Sequence, residues 1–190
     1  APKACWITTT DQATARRYTR VKAQQIEQEK AGDAEFMDPS ADTLTLAKRI
    51  RIPFAVLQTE LHLAALLCTL SDEAALAESF ALTESILKTP GLSAGYTGWC
   101  HGILASIHLK RQRFSSAVEQ ARRALPLCTR VPLRFLWVQA LLVRGLLGQS
   151  EITEAALLSE QMLSALSQLG GGYIEVMVRR TAAEALTCSG

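Results

Sequence analysis

The 190 residues carry 48% hydrophobic, 20% charged and 6% aromatic side chains, with a net charge of +2. A chain of that length buries a core of its own, and so much apolar surface excludes disorder as a description of the whole. Scarce aromatics disfavour a β-sandwich and favour packed helices, and so mild a charge does not announce nucleic acid.

In chain order, residues 11–30 predict a helix of good helix formers, with Asp11 as N-cap and a thin apolar stripe of Ala15, Tyr18 and Val21. Residues 31–42 hold Gly32, Pro39 and four acids and read as a linker. The expected organisation is therefore an N-terminal helix and linker over 1–42 and one helical repeat domain over 43–190. Within that domain, apolar residues recur at three- and four-residue spacing without β-like alternation. The spacing predicts helices at 41–51, 53–70, 72–88, 95–111, 114–128, 132–148, 151–169 and 172–188. Pro53 and Pro132 suit first turns, where a missing N–H costs nothing. Ser71, Asp72 and Glu73 supply a cap and two acids favourable to a helix dipole. Thr89-Pro90-Gly91 and Gly170-Gly171-Gly172 each end a helix. The chain begins without methionine and stops at Gly190 after a helical pattern, so it is expected to be a piece of a longer chain. Helix 172–188 would then be the first half of a further hairpin.

The helices pair and the pairs repeat. At a shift of 38 residues, Trp99 falls on Trp137, Leu104 on Leu142, Leu109 on Leu147, Gln112 on Ser150, Ala117 on Ala155 and Leu125 on Leu163. A shift of 40 places Ala65 on Ala105 and Ala77 on Ala117, with the second helix of that unit fitting less cleanly. The units span about 58–88, 98–128 and 136–166, followed by the terminal helix. A fixed period in this range marks a helical solenoid, in which each hairpin buries its apolar stripe by stacking on its neighbours.

The pattern Ala105…Phe114-x-x-Ala117-Val118-x-x-Ala121-x-x-Ala124-Leu125 resembles the tetratricopeptide repeat. The resemblance implies a small residue in the first helix where two helices approach, and alanines in the second that permit stacking. It also implies an all-α fold: a right-handed α-solenoid of antiparallel helical hairpins, here with an N-terminal helical cap. The period is longer than the family's ~34 residues, and the usual proline after the second helix is not in place. The stretch RALPLCTRVPLRFLWVQALLVRGLLGQ, followed by LGGGYIEVMVRRTAAEAL, is similar to the helical-repeat tails of bacterial eukaryotic-like Ser/Thr kinases and signalling regulators. That resemblance implies a regulatory repeat region whose catalytic domain lies outside this chain.

No GxxxxGK[ST], HRD, DFG or HExxH motif is present. No enzyme activity, cofactor or metal site is expected. His101 and His108 lie two turns and ~10 Å apart along a helix, too far to chelate one ion, and His62 sits on another helix. Cys5, Cys68, Cys100, Cys128 and Cys188 are odd in number and widely spread, which favours inert thiols over a disulfide framework. Residues 1–10 lack the apolar core of a signal peptide, and Gln139 and Arg144 break the longest apolar run well short of the ~18 residues a span needs. A cytoplasmic protein without a membrane partner is expected.

Charge is more informative. Residues 52–87 hold five acids (Glu60, Asp72, Glu73, Glu78, Glu84) and no Lys or Arg, whereas 101–134 hold seven bases (Lys110, Arg111, Arg113, Arg122, Arg123, Arg130, Arg134) and one acid, Glu119. Two readings stand: a basic band that receives an acidic segment, or a solvated face partly neutralised by its neighbours. In the resembled repeats, the early first-helix positions line a concave groove. The resemblance therefore implies a peptide groove of Trp99, Ser106, Lys110, Trp137, Ala140 and Arg144. The competing reading makes both tryptophans packing staples. The expected function is a non-catalytic protein–protein interaction scaffold. Its partner would be a protein or acidic peptide, or another domain of the parent chain. Self-association into a homo-oligomer and nucleic-acid binding are the alternatives, nucleic acid the weaker one.

Overall fold

A computed structural model describes residues 53–70, 72–169 and 172–189. The predicted helices at 11–30 and 41–51 and the linker at 31–42 lie outside the described residues. Those described form seven α-helices and one 3-10 turn, with no strand among them. The fold class is all-α. We number the helices α1 (Pro53–Thr69), α2 (Glu73–Leu87), α3 (Ala94–Lys110), α4 (Phe114–Ala124), α5 (Pro132–Gly148), α6 (Ile152–Leu169) and α7 (Gly172–Ser189).

The chain divides into two compact units, one through Lys88 and one from Thr89. The division falls at Thr89-Pro90-Gly91, where Gly91 takes a φ of +73°, a left-handed conformation that glycine adopts without strain.

In the first unit, α1 packs on α2. Asp72 caps α2 by accepting a hydrogen bond from the Ala75 N–H at 3.0 Å, as its sequence context predicts. Leu61, Ala64 and Leu67 of α1 and Leu76 and Ile86 of α2 are buried. Two hydroxyls share that interior and are both satisfied: Ser79 Oγ donates to Ala64 O, and Thr83 Oγ1 to Ser79 O, each at 2.7 Å. The expected small-residue register is corrected here. Ala64 rather than Ala65 is fully buried, and Ala77 is exposed, because Ser79 provides the close approach to α1.

In the second unit, α3 packs on α4, α4 on α5, α5 on α6 and α6 on α7; α5 also packs on α3 and α7. Helix α5 is thus the central element, and Leu136, Val138, Leu142, Val143 and Leu146 are its core residues. The predicted helix 114–128 ends early as an α-helix, at Ala124, and continues as a 3-10 turn over Leu125–Leu127. Pro126 explains the change: it lacks an N–H to donate, and its ring crowds the carbonyl one turn back. Helices α3 and α5 both end in a left-handed residue, Gln112 (φ 56°) and Ser150 (φ 64°), the pair that the 38-residue shift superposes.

Helices approach closely where side chains are smallest. Ala105, Ala117, Ala121 and Ala124 are fully buried. A Cβ on Gly98 would lie 2.8 Å from both Leu127 Cβ and Cys128 Sγ, and one on Gly145 would lie 2.7 Å from Val118 Cγ2. Glycine at these positions sets the spacing of α3 and α5 against the α4 layer.

Candidate functional site

Residues Gly95, Trp99, Gly102, Ser106 and Lys110 recur along one face of α3, and Leu133, Trp137, Ala140 and Arg144 along one face of α5, at three- and four-residue steps. The two stripes meet through side chains from α5. The Arg134 guanidinium lies 4.5 Å from the Trp99 ring centroid, and its Nη1 donates to Gly95 O at 3.1 Å. Burial draws the Arg134 pKa below the ordinary guanidinium value, with Cys128 and Tyr96 opposing. One turn further along, the Trp137 indole occupies the space that a Cβ on Gly102 would need.

This packing sorts the six residues expected to line a groove. Lys110 and Arg144 are exposed, and Ser106 and Trp137 are half-buried. Trp99 and Ala140 do not present a surface, which corrects that part of the expectation. Trp99 is only 9% exposed, with Arg134 laid over its ring. Ala140 is fully buried, a single methyl on the central helix between the larger Trp137 and Arg144. Sequence reasoning missed two neighbours. Leu133, one turn before Trp137 on the same face, is 45% exposed, and Arg134 is the internal cover of Trp99. The four-residue step from Leu133 to Trp137 was the available signal for the first.

Part of the basic band is engaged within the chain. Arg122 Nη2 donates to both carboxylate oxygens of Glu154 at 2.9 Å, Arg123 pairs with Glu119 one turn away, and Arg134 is half-buried over Trp99. The first two are exposed pairs, each contributing no more than ~1 kcal/mol. Arg144 is joined to no acid among the described residues, so its charge faces outward.

The histidines are dispersed. His62 Nδ1 lies 2.7 Å from Gln58 O in its own helix, and His101 Nδ1–H donates to Gln120 Oε1 at 2.7 Å across α3 and α4. Burial, then Arg113 and Arg111, hold His108 below the ordinary imidazole value. No cluster of three metal-ligating side chains occurs among the described residues. Burial pushes the Cys100 thiol up to about 12 and raises Cys128, so neither is a ready thiolate. Cys68, Cys100, Cys128 and Cys188 stand outside any disulfide. No helix among the described residues is long and apolar enough to cross a membrane.

One buried polar group is out of balance. Gln139 falls on His101 at the 38-residue shift, but the position matching Gln120 is Leu158. Gln139 is 7% exposed, and its buried Oε1 has no hydrogen-bond partner among the described residues. Leaving such an acceptor unmade costs stability. Gln139→Leu is therefore expected to raise stability by about 1 kcal/mol, read as a higher urea midpoint at unchanged slope. A lower midpoint would mean that the amide supports the fold through its nitrogen.

Comparisons with protein-family models, with curated proteins and with solved structures give no match to this chain.

Proposed function

We propose that this chain is a non-catalytic protein-interaction scaffold: a tetratricopeptide-like, right-handed solenoid of antiparallel helical hairpins that serves as the regulatory repeat region of a larger bacterial kinase or signalling regulator. Several contacts support the solenoid reading. Gly98 meets the Ala124–Cys128 end of the second helix while His101 meets Gln120, so α3 and α4 run in opposite senses. Gly95 and Trp99 meet Arg134 while Gly102 meets Trp137, so α3 and α5 run in the same sense. First helices side by side, each over a second helix, are what stacked hairpins produce.

The observation that carries the function is the face of α5. Leu133, half-buried Trp137 and outward Arg144 share one stripe, beside Ser106 and exposed Lys110 on α3. An apolar platform with cations at one end suits a partner segment that has an apolar anchor and carboxylates. The test uses fluorescence anisotropy with labelled acidic peptides that carry one leucine or phenylalanine. Arg144→Glu should weaken binding about tenfold at low salt and less at high salt. Trp137→Ala should weaken it at every salt concentration. In variants retaining a single tryptophan, acrylamide should quench Trp137 and spare Trp99. Equal affinity of wild type and Arg144→Glu for these peptides would overturn the assignment.

A further inference from the structure

The face on α5 has a complement elsewhere in the same sequence. Helix α2 turns Ala75, Leu76, Ser79, Thr83 and Ile86 inward, and they are buried. Its opposite side exposes Ala74, Ala77, Ala81 and Ser85 at helical spacing, with Glu78 exposed on the same side. This is a stripe of small side chains without a large apolar residue, flanked by acids, in a stretch that has no Lys or Arg before Lys88. Asp72 is used as the helix cap and plays no part in it.

Elsewhere in the fold large side chains seat against residues without bulk: the Trp137 indole lies against Gly102 and the Phe114 ring against Gly148. The natural cover of a stripe of small side chains is in the same way a helix that faces it with large ones.

We infer that the segment taken by the Leu133–Trp137–Arg144 face is the α2 stripe of a second copy of this chain. The inference rests on the interaction reading above and names its partner. Three complementarities select a second copy. Leu133 and Trp137 are large where Ala74, Ala77 and Ala81 are small. Arg144 is outward and positive where Glu78 is exposed and negative. Helix α2 as a whole carries Glu73, Glu78 and Glu84 and no base, whereas α5 carries Arg134 and Arg144 and no acid. The two faces are different surfaces, so the contact is heterologous. Each copy keeps one face open after pairing, and assembly proceeds beyond a dimer unless a ring closes.

The test is sedimentation velocity on the full chain across a concentration series at low and high salt. Species that grow with concentration and dissolve with salt are expected. Arg144→Glu and Glu78→Arg, both at exposed positions, should each weaken assembly about tenfold by placing like charges together. The double variant should restore it. Monomer at every concentration overturns the inference, as does assembly that neither reversal changes. The acidic-peptide titration separates this result from the reading beneath it. If the chain stays monomeric yet binds the peptides through Arg144, the second copy is the wrong partner and the interaction face stands. If it does neither, both fall. Assembly lost in each single variant and recovered in the double supports both.

Discussion

Leu136→Ala is expected to destabilise the second unit by ~2–5 kcal/mol, a large share of what holds a domain of this size folded. Leu136 is 1% exposed on α5, the helix on which α3, α4, α6 and α7 all pack. Removing its side chain forfeits the transfer free energy and leaves a cavity that four surrounding helices cannot collapse together. For a unit of this size each kcal/mol lowers the thermal midpoint by about 4–8 °C, so calorimetry resolves the effect easily. Leu133→Ala is the matched control. It removes the same atoms three residues earlier on the same helix, from a side chain 45% exposed. It should cost less than ~1 kcal/mol, because less apolar area leaves the interior. The binding experiments should rank the two residues in the reverse order. Leu133→Ala should weaken peptide capture in a chain that is still folded. Equal destabilisation by both variants would mean that Leu133 belongs to the core and the α5 face is not open.

What the one-dimensional pattern carried was local chemistry. Helix limits from Pro53 to Ser189 follow from apolar spacing, caps and breakers, all of which act within a turn or two. Asp72 caps where its neighbours suggest, and Pro132 opens α5 where a proline is tolerated. The clearest departure in a boundary, at Ala124, arises because Pro126 outweighs the apolar run 114–128. The site was less legible because its outcome depends on distant pairs. Trp99 lies on the expected face, but its exposure is decided by Arg134, whose anchor on Gly95 spans 39 residues. The sequence left the basic stretch open between a receiving band and a face partly neutralised by its neighbours, because the partner of Arg122, Glu154, lies on another helix. Glycines hid a further part of the answer. Glycine is a poor helix former, yet the structure uses Gly102 and Gly148 inside helices as seats for Trp137 and Phe114. Nothing local distinguishes a glycine needed for close approach from one merely tolerated.

Overpacking tests the repeat register directly. Ala105 on α3 and Ala117 on α4 are fully buried at positions where neighbouring helices come close. Nearby, even a single added Cβ on Gly98 would come within 3.3 Å of the Ala124 backbone oxygen, which shows how little slack the α3–α4 seam has. Ala105→Leu and Ala117→Leu should each force side chains off their rotamers or part the helices, at ~1–3 kcal/mol. Two residues from Ala117, Glu119 is exposed and paired with Arg123 at the surface. Glu119→Leu breaks only that pair and should change stability by less than about 0.5 kcal/mol. The three variants differ from one another by which side of a helix they enlarge, and propensity separates them little, since alanine, glutamate and leucine all favour helix. Denaturant midpoints measured side by side therefore read packing alone. If Glu119→Leu costs as much as the two alanine variants, the small residues are not marking the helix contacts. The 38-residue alignment that places Ala117 on Ala155, also fully buried, would then have to be abandoned.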